Sequence, residues 1–276
     1  KAMSLPILAR NRGGAFAAAT GGGAVAKTLE DEIADGDLTA GVPTMWMDAG
    51  AGISDTGGLV DSWTSRDESA ITFVGTATGS NRPTTTTASG VPVIDFDGSD
   101  DTLNFSSGDF SASALEYSIF VALSNDETTL TNGVEIVDFA GTSSRFLIKE
   151  ISSNRFAFYI EVVGATVPQS YLTPDPAMPD KIVLGFVSND TANEVKYYEN
   201  GNNYETDTSL SDGTLKLNLT CGLSDRSGYR FNGKMYHILV FASKLDDTDR
   251  EKVEGFLAQE MGITDRLPEG HTYKDT

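Results

Sequence analysis

Apolar and polar residues alternate along most of the chain after residue 42. Ile119, Val121 and Leu123 alternate with Phe120 and Ala122. Phe156, Phe158, Ile160 and Val162 alternate with Ala157, Tyr159 and Glu161. Leu215, Leu217, Leu219, Cys221 and Leu223 alternate with Thr214, Lys216, Asn218, Thr220 and Gly222. A period of two puts each set on one face of a strand. Ile182 to Val187 is apolar throughout, which predicts a central strand covered on both sides. Met235 to Phe241 predicts a last, largely apolar strand. Glu199-Asn200-Gly201 follows Val195 to Tyr198, and Asn-Gly is a strong hairpin signal. So many half-buried strands predict antiparallel sheets facing one core.

Two stretches break the alternation. Val253, Phe256, Leu257 and Met261 recur at helical spacing. Thr248 and Glu251 before them fit a capping box, and Gly262 fits a C-terminal stop, so a helix is expected over 248–261, on the edge of the sandwich. Residues 1 to 40 are rich in Gly and Ala. Val25, Leu29 and Ile33 are four apart, which predicts one short helix over about 24–34. That stripe is thin for a lone helix and needs something to pack on. The segment reads as a linker or as an arm for anchoring or oligomerisation.

The chain has 276 residues and a formal net charge of −20. Such a field repels phosphate backbones and argues against nucleic acid as a partner. It also leaves many carboxylates for a hard cation, with calcium the candidate. One cysteine, Cys221, excludes an intrachain disulfide and is read as core. With only His237 and His271 beside it, a Cys/His zinc centre is not expected. No apolar run reaches membrane-spanning length.

Six motifs stand in a recognisable order. They are Met45-Trp46-Met47-Asp48-Ala49, Val60-Asp61-Ser62-Trp63, Val93 to Leu103 with Phe96-Asp97-Gly98-Ser99-Asp100-Asp101 inside it, Lys196 to Gly201, Phe231 to Phe241, and Leu245 to Ile263. Together they resemble the concanavalin A-like lectin/glucanase superfamily, in particular laminin-G-like jelly-roll domains of phage and bacterial surface proteins. The resemblance implies an all-β, antiparallel two-sheet jelly-roll sandwich with one C-terminal amphipathic helix. It covers residues 42–264, leaving 1–41 as an N-terminal arm and 265–276 as a polar, mobile tail. It implies a non-catalytic virion or surface structural protein, such as a capsid decoration, head fibre or tail component. Its lectin-like domain would bind host glycans, and residues 1–41 would meet sister subunits or capsid and tail proteins. The expected location is a virion or an extracellular surface. A free-standing carbohydrate-binding module is the alternative, and a glycoside hydrolase a third.

The candidate chemistry is sparse. Asp97, Asp100 and Asp101, with Asp95 and Asn104 nearby, supply oxygens of the kind calcium takes. The same residues fit a tight turn, with Gly98 at positive φ and Asp side chains bonding local N–H groups. For sugar binding, Tyr198, Tyr204, Tyr229, Asn202 and Asp225 lie near predicted turns and offer rings and hydrogen-bonding groups. Trp46 and Trp63 fall in strands and are read as core. His237 is read as a packed residue rather than a base. Glucanases of the resembled superfamily carry Glu-x-Asp-x-x-Glu on one strand. Here Glu135-Ile136-Val137-Asp138 has no second Glu, and a regular strand would put Glu135 and Asp138 on opposite faces. No catalytic residue is therefore expected.

Overall fold

The computed structural model describes residues 28–106, 110–111, 116–126, 134–140, 144–151, 155–162, 170–172, 181–189, 191–208, 216–217, 219–221 and 230–274. The chain opens with helix α1 (Leu29–Ala34). Seven strands follow: β1 (Met45–Asp48), β2 (Ile53–Thr56), β3 (Leu59–Thr64), β4 (Val74–Thr76), β5 (Thr84–Ala88), β6 (Val91–Asp97) and β7 (Leu103–Ser106). Then come β8 (Phe110–Ser111), β9 (Ser118–Asn125), β10 (Glu135–Ala140), β11 (Ser144–Ile151), β12 (Arg155–Val162) and β13 (Ser170–Leu172). The last strands are β14 (Lys181–Asn189), β15 (Glu194–Glu199), β16 (Asn202–Asp207), β17 (Lys216–Leu217), β18 (Leu219–Cys221) and β19 (Asn232–Phe241). Helix α2 (Asp247–Met261) and a short 3-10 turn (Thr264–Arg266) close the chain.

The pairings divide into two antiparallel runs. In the first, β19 takes β6 beside its opening half and β1 beside its closing half, and the run continues β19–β9–β14–β15–β16. The second runs β2–β3–β4–β7–β18–β10–β11–β12–β13. One bridge, Leu59 to Thr84, joins them where β3 meets β5. The protein is thus an all-β sandwich, as the alternation implies. The β15–β16 turn is the expected hairpin: Asn200 and Gly201 have φ of 46° and 77°, the left-handed pair that a tight two-residue turn requires.

Between the sheets lies an apolar core. Ile119, Val121, Leu123, Leu184 and Phe186 enter it from the first sheet; Trp63, Phe105, Phe146 and Phe158 enter from the second. Its centre is aromatic. Phe146 meets Phe186 edge-on at 5.0 Å between centroids, and Phe158 and Phe186 lie 5.4 and 5.6 Å from Tyr197. Trp46 and Trp63 are fully buried, as expected for core residues. His237 is buried as well, with Phe256 edge-on to its ring at 5.5 Å.

The outer face of the first sheet is also apolar. Phe120, Ala122, Val183, Val187 and Leu239 point away from the core and are covered by Val253, Leu257 and Met261 of α2. The helix therefore lies across the face over β9 and β14, not along the edge of the sandwich. It starts one residue earlier than expected, and Asp246 is its cap, accepting from the Asp249 N–H at 2.8 Å. An Asp at the cap position leaves Thr248 inside the first turn. Glu251 turns instead to the tail, accepting from Thr272 Oγ1 at 2.7 Å. Gly262 closes the helix at φ 67°.

Residues on both sides of 42–264 pack against the sandwich and its helix. Leu29, Ile33 and Leu38 join the cluster under α2. Helix α1 begins at Leu29, because Thr28 and Asp31 cap one another's backbone N–H groups; Val25 is outside the described residues. Lys252 of α2 bridges to Glu32 at 3.3 Å and to the Asp37 carbonyl at 2.9 Å. The tail is docked rather than mobile through residue 274: Leu267 and His271 are buried, and His271 Nε2 sits 3.4 Å from Glu254. Polar sequence misleads here, because a buried carboxylate on α2 gives the His a place to pack.

Phe186 touches three rings at the centre of the sandwich. Phe186→Ala is expected to cost about 3–5 kcal/mol of unfolding free energy, read from the urea midpoint at unchanged slope. A loss below about 1 kcal/mol would show that this centre is not tightly packed.

Candidate functional site

The opening end of β19 and the closing end of β6 form one corner of the first sheet, where Asn232 pairs with Asp97 and Lys234 with Asp95. A polar groove of about 450 Å³ lies there, lined among others by Asp95, Asp97, Asp101, Asp126, Asn232 and Ser80. The turn that builds it begins at Gly98, with φ 74°. A Cβ there would stand 2.8 Å from the Cβ of Asn232, so glycine is needed for both conformation and space. Asp97 accepts from the Ser99 N–H at 2.7 Å, and Asp101 from the Asp97 N–H at 2.8 Å. The tight turn read in the sequence is present.

The same turn gathers carboxylates. Asp97, Asp100 and Asp101 each place an oxygen within 4.8 Å of the others. Oxygens that share one calcium at 2.3–2.6 Å lie at most about 5 Å apart, so the trio suits calcium with little movement. Turn and cation loop are compatible here. Asn104 lies beyond the turn, on β7 and opposite Thr76.

Repulsion is visible in the acid strengths. Burial, with the charges of Asp97, Asp100 and Asp95, pushes the Asp101 carboxyl up to about 6, against the hydrogen bond from Asp97 N–H. Burial likewise raises Asp95, against the pull of Lys234, with Asp126 and Asp97 adding to the rise. Both cations at the groove are held by acids. Lys234 pairs with Asp126 and lies 3.6 Å from Asp95; Arg82 Nη1 donates to Asp61 at 2.7 Å. The open part of the groove is therefore oxygen-rich and anionic.

Of the residues singled out for sugar binding, the structure describes Tyr198, Tyr204 and Asn202. Tyr198 is only 5% exposed, with the Arg250 guanidinium 4.4 Å above its ring. Alternation sends Tyr197 into the core and Tyr198 to the outer face, where α2 covers it, so Tyr198 is no open platform. Tyr204 is 43% exposed on β16, and Asn202 is exposed beside it, bonding the Glu199 carbonyl at 3.4 Å. Tyr229 and Asp225 lie outside the described residues, as does the side chain of Cys221. Asp126, Ser80 and Asn232 were missed: strand register brings Asp126 and Asn232 to the turn, and the β4–β5 loop brings Ser80.

One expectation about the carboxylate pair is corrected. The β10–β11 register slips between Glu135 and Val137, and both Ile136 and Val137 are buried in the core. With two successive residues facing inward, Glu135 and Asp138 share the outer face. Asp138 is nonetheless 7% exposed, and the two do not form an open pair. Among the described residues no helix is long and apolar enough to cross a membrane.

No family model matches the chain, and no curated protein matches its sequence. Its fold does match solved structures. The binding domain of botulinum neurotoxin serotype G aligns at a TM-score of 0.58 and 14% identity, over 83% of this chain and 53% of that one. The binding domain of Paraclostridial Mosquitocidal Protein 1 aligns at 0.58 and 8%, over 78% and 52%. The chain thus spans about half the length of these toxin domains. Domain 4 of AbnA, a GH43 extracellular arabinanase from Geobacillus stearothermophilus solved with arabinotriose, aligns at 0.50 and 13%, over 75% of this chain and 96% of that one. At these identities the likeness is one of fold: the chain is a β-sandwich of the architecture found in these binding domains.

Proposed function

We propose that the chain is a non-catalytic glycan-binding domain whose ligand lies in the groove at the Asp97 turn. The observation that carries this reading is the groove itself, about 450 Å³ of space lined by Asp95, Asp97, Asp101 and Asp126 with Asn232 and Ser80, and also by Arg82, Thr84, Leu59 and Phe96. Sugar hydroxyls donate and accept at once, and carboxylates with an amide and a hydroxyl are their complements. Calcium held by Asp97, Asp100 and Asp101 would add a further anchor for hydroxyl oxygens. AbnA domain 4, solved with an arabinose oligomer, supports the class of ligand by analogy of fold. A virion or cell-surface setting belongs to the same proposal, supported by the order of the six sequence motifs. Electron microscopy of the native assembly tests that setting, and a chain found on no particle or surface would overturn it.

The direct measurement is a neutral-glycan array with and without millimolar calcium. Asn232→Ala and Asp97→Asn are each expected to weaken the best ligand by roughly tenfold, about 1.4 kcal/mol. Unchanged affinity in both variants, with unchanged melting temperature, would remove the groove as the site.

Asp101 adds a pH signature. Its folded pKa of about 6 lies above the ordinary 3.8, so its charged form burdens the folded state above pH 6. That burden is relieved as pH falls through 6 towards 4. Relative to Asp101→Asn, the wild type is expected to gain melting temperature between pH 7 and 5 without calcium. Calcium needs the charged carboxylate, so its stabilising effect is expected at pH 7.5, and to fade at pH 5 and in Asp101→Asn. A calcium effect equal at both pH values would exclude Asp101 as a ligand.

A further inference from the structure

Residues 1–27 hold four of the chain's 20 cations, Lys1, Arg10, Arg12 and Lys27, and none of its 40 acids. In a chain of net charge −20, this segment is a stretch of the opposite sign. Arg10-Asn11-Arg12 is its densest point. Bound as an extended strand, it would put both guanidinium groups on one side. The fork of an arginine matches the two oxygens of a carboxylate.

Around the helices, the acids already have cations. Arg66 meets Glu30, Asp48 and Glu68, Lys252 meets Glu32 and Asp249, and Arg250 meets Glu254. The Asp97 corner differs. Arg82 is taken by Asp61, and Lys234 is shared by Asp126 and Asp95. Asp97, Asp100 and Asp101 make no ion pair among the described residues. The groove of about 450 Å³ beside them gives an arginine side chain room to enter, and Leu59 in its wall suits the aliphatic stem. The corner is also within reach. Asp95 and Asp97 continue the face of β6 that holds Val93, and Val93 shares the outer apolar cluster with Leu29 of α1. Glu30 of α1 meets Arg66, Arg66 meets Asp48, and Asp48 pairs with His237 of β19. Asn232, at the corner, stands five residues back along that strand, a distance of about 16 Å. Arg12 precedes Thr28 by sixteen residues, which can span up to roughly 50 Å. Tethered at that range, the arm meets the groove at an effective concentration on the order of millimolar, enough to populate a weak contact.

We propose that Arg10 and Arg12 dock into the acidic groove of their own chain and pair with Asp97, Asp100 and Asp101. Residues 1–27 then act as a built-in competitor, and calcium or a glycan enters the groove by displacing them. The docking stands apart from the glycan reading; only the competition with a glycan rests on it. The tether favours the chain's own groove over that of a sister copy, because its effective concentration persists at any dilution.

Photo-crosslinking of the full chain tests this, with p-benzoylphenylalanine in place of Phe16, four residues after Arg12. Adducts of monomer mass are expected on peptides that hold residues 80–101, 126 or 232. Arg10→Gln with Arg12→Gln is expected to lower their yield about fivefold, and so is raising the salt from about 0.05 M to about 0.5 M. Lys1→Gln with Lys27→Gln removes the same charge and is expected to leave the yield unchanged. Adducts of dimer mass on the same peptides would make a sister copy the occupant and overturn own-chain docking. Adducts only elsewhere, none at all, or equal yields from the two double variants would overturn it too. Calorimetric titration reads the competition. The arginine variant is expected to bind calcium about threefold more tightly than the wild type or the lysine variant, because its groove is always free. Equal calcium affinities in all three would overturn the competition. If no form binds calcium or any glycan, the glycan reading fails, while the crosslinks still decide the docking.

Discussion

The structure depends on one constraint: the central strand β9 is buried on both faces along all eight positions. Ile119, Val121 and Leu123 fill the space between the sheets, while Phe120 and Ala122 face outward. Backbone hydrogen bonds to β14 and β19 satisfy the strand laterally but do nothing for its apolar outer face. Leaving that face in water would forfeit roughly 1.5–3 kcal/mol for a side chain such as Phe120. Helix α2 is the cover, and residues 28–40 and the closing tail are held in place by it. A sandwich with a single core would need none of these pieces.

Charge is organised around the same cover. In a chain with a formal charge of −20, cations are scarce, and several serve more than one acid. Arg66 meets Glu30, Asp48 and Glu68 and lies 4.5 Å from the centre of the Trp46 ring, tying α1 to β1. Arg250 repeats the arrangement, with Glu254 below it and Tyr198 beneath its plane. Buried and partly buried pairs of this kind add modestly to stability, but they fix which segment sits where. Concentrating cations at the helix side leaves the Asp97 corner with a surplus of carboxylates. The acidic groove is thus partly a result of how the rest of the surface is neutralised.

Much of the fold was legible because a period of two is a strong signal. The strands around Val121, Phe158, Leu184 and Ile238 are where alternation or unbroken apolarity puts them, and Asn200-Gly201 makes the expected hairpin. What escaped were effects of tertiary contact. Nothing local marks Asp246 rather than Thr248 as the helix cap, since both can accept from an N–H two or three residues on. The tail reads as solvent-bound because His271 finds Glu254 only after α2 has docked. The bulge at Ile136 cannot be seen in a string of apolar letters, yet it reverses the facing of Asp138 relative to Glu135. At the groove, the Asp97 turn was visible as a local motif. Asp126 and Asn232 were not, because two strand registers bring them there.

The attachment of both ends of the described chain to α2 has a mechanical consequence. Residues 32–40 are held by Lys252 and Asp249, and residues 271–273 by Glu251, Glu254 and Gly255. Tension applied between residues 28 and 274 therefore falls first on the contacts across one helix and on the Glu30–Arg66 pair. Those contacts are few and can give way in succession. The ladders of β9, β14 and β19 carry no load until they do, so the sandwich and its acidic corner would keep their shape while the ends are pulled. A domain built this way can be tethered from either side and still present that corner undistorted.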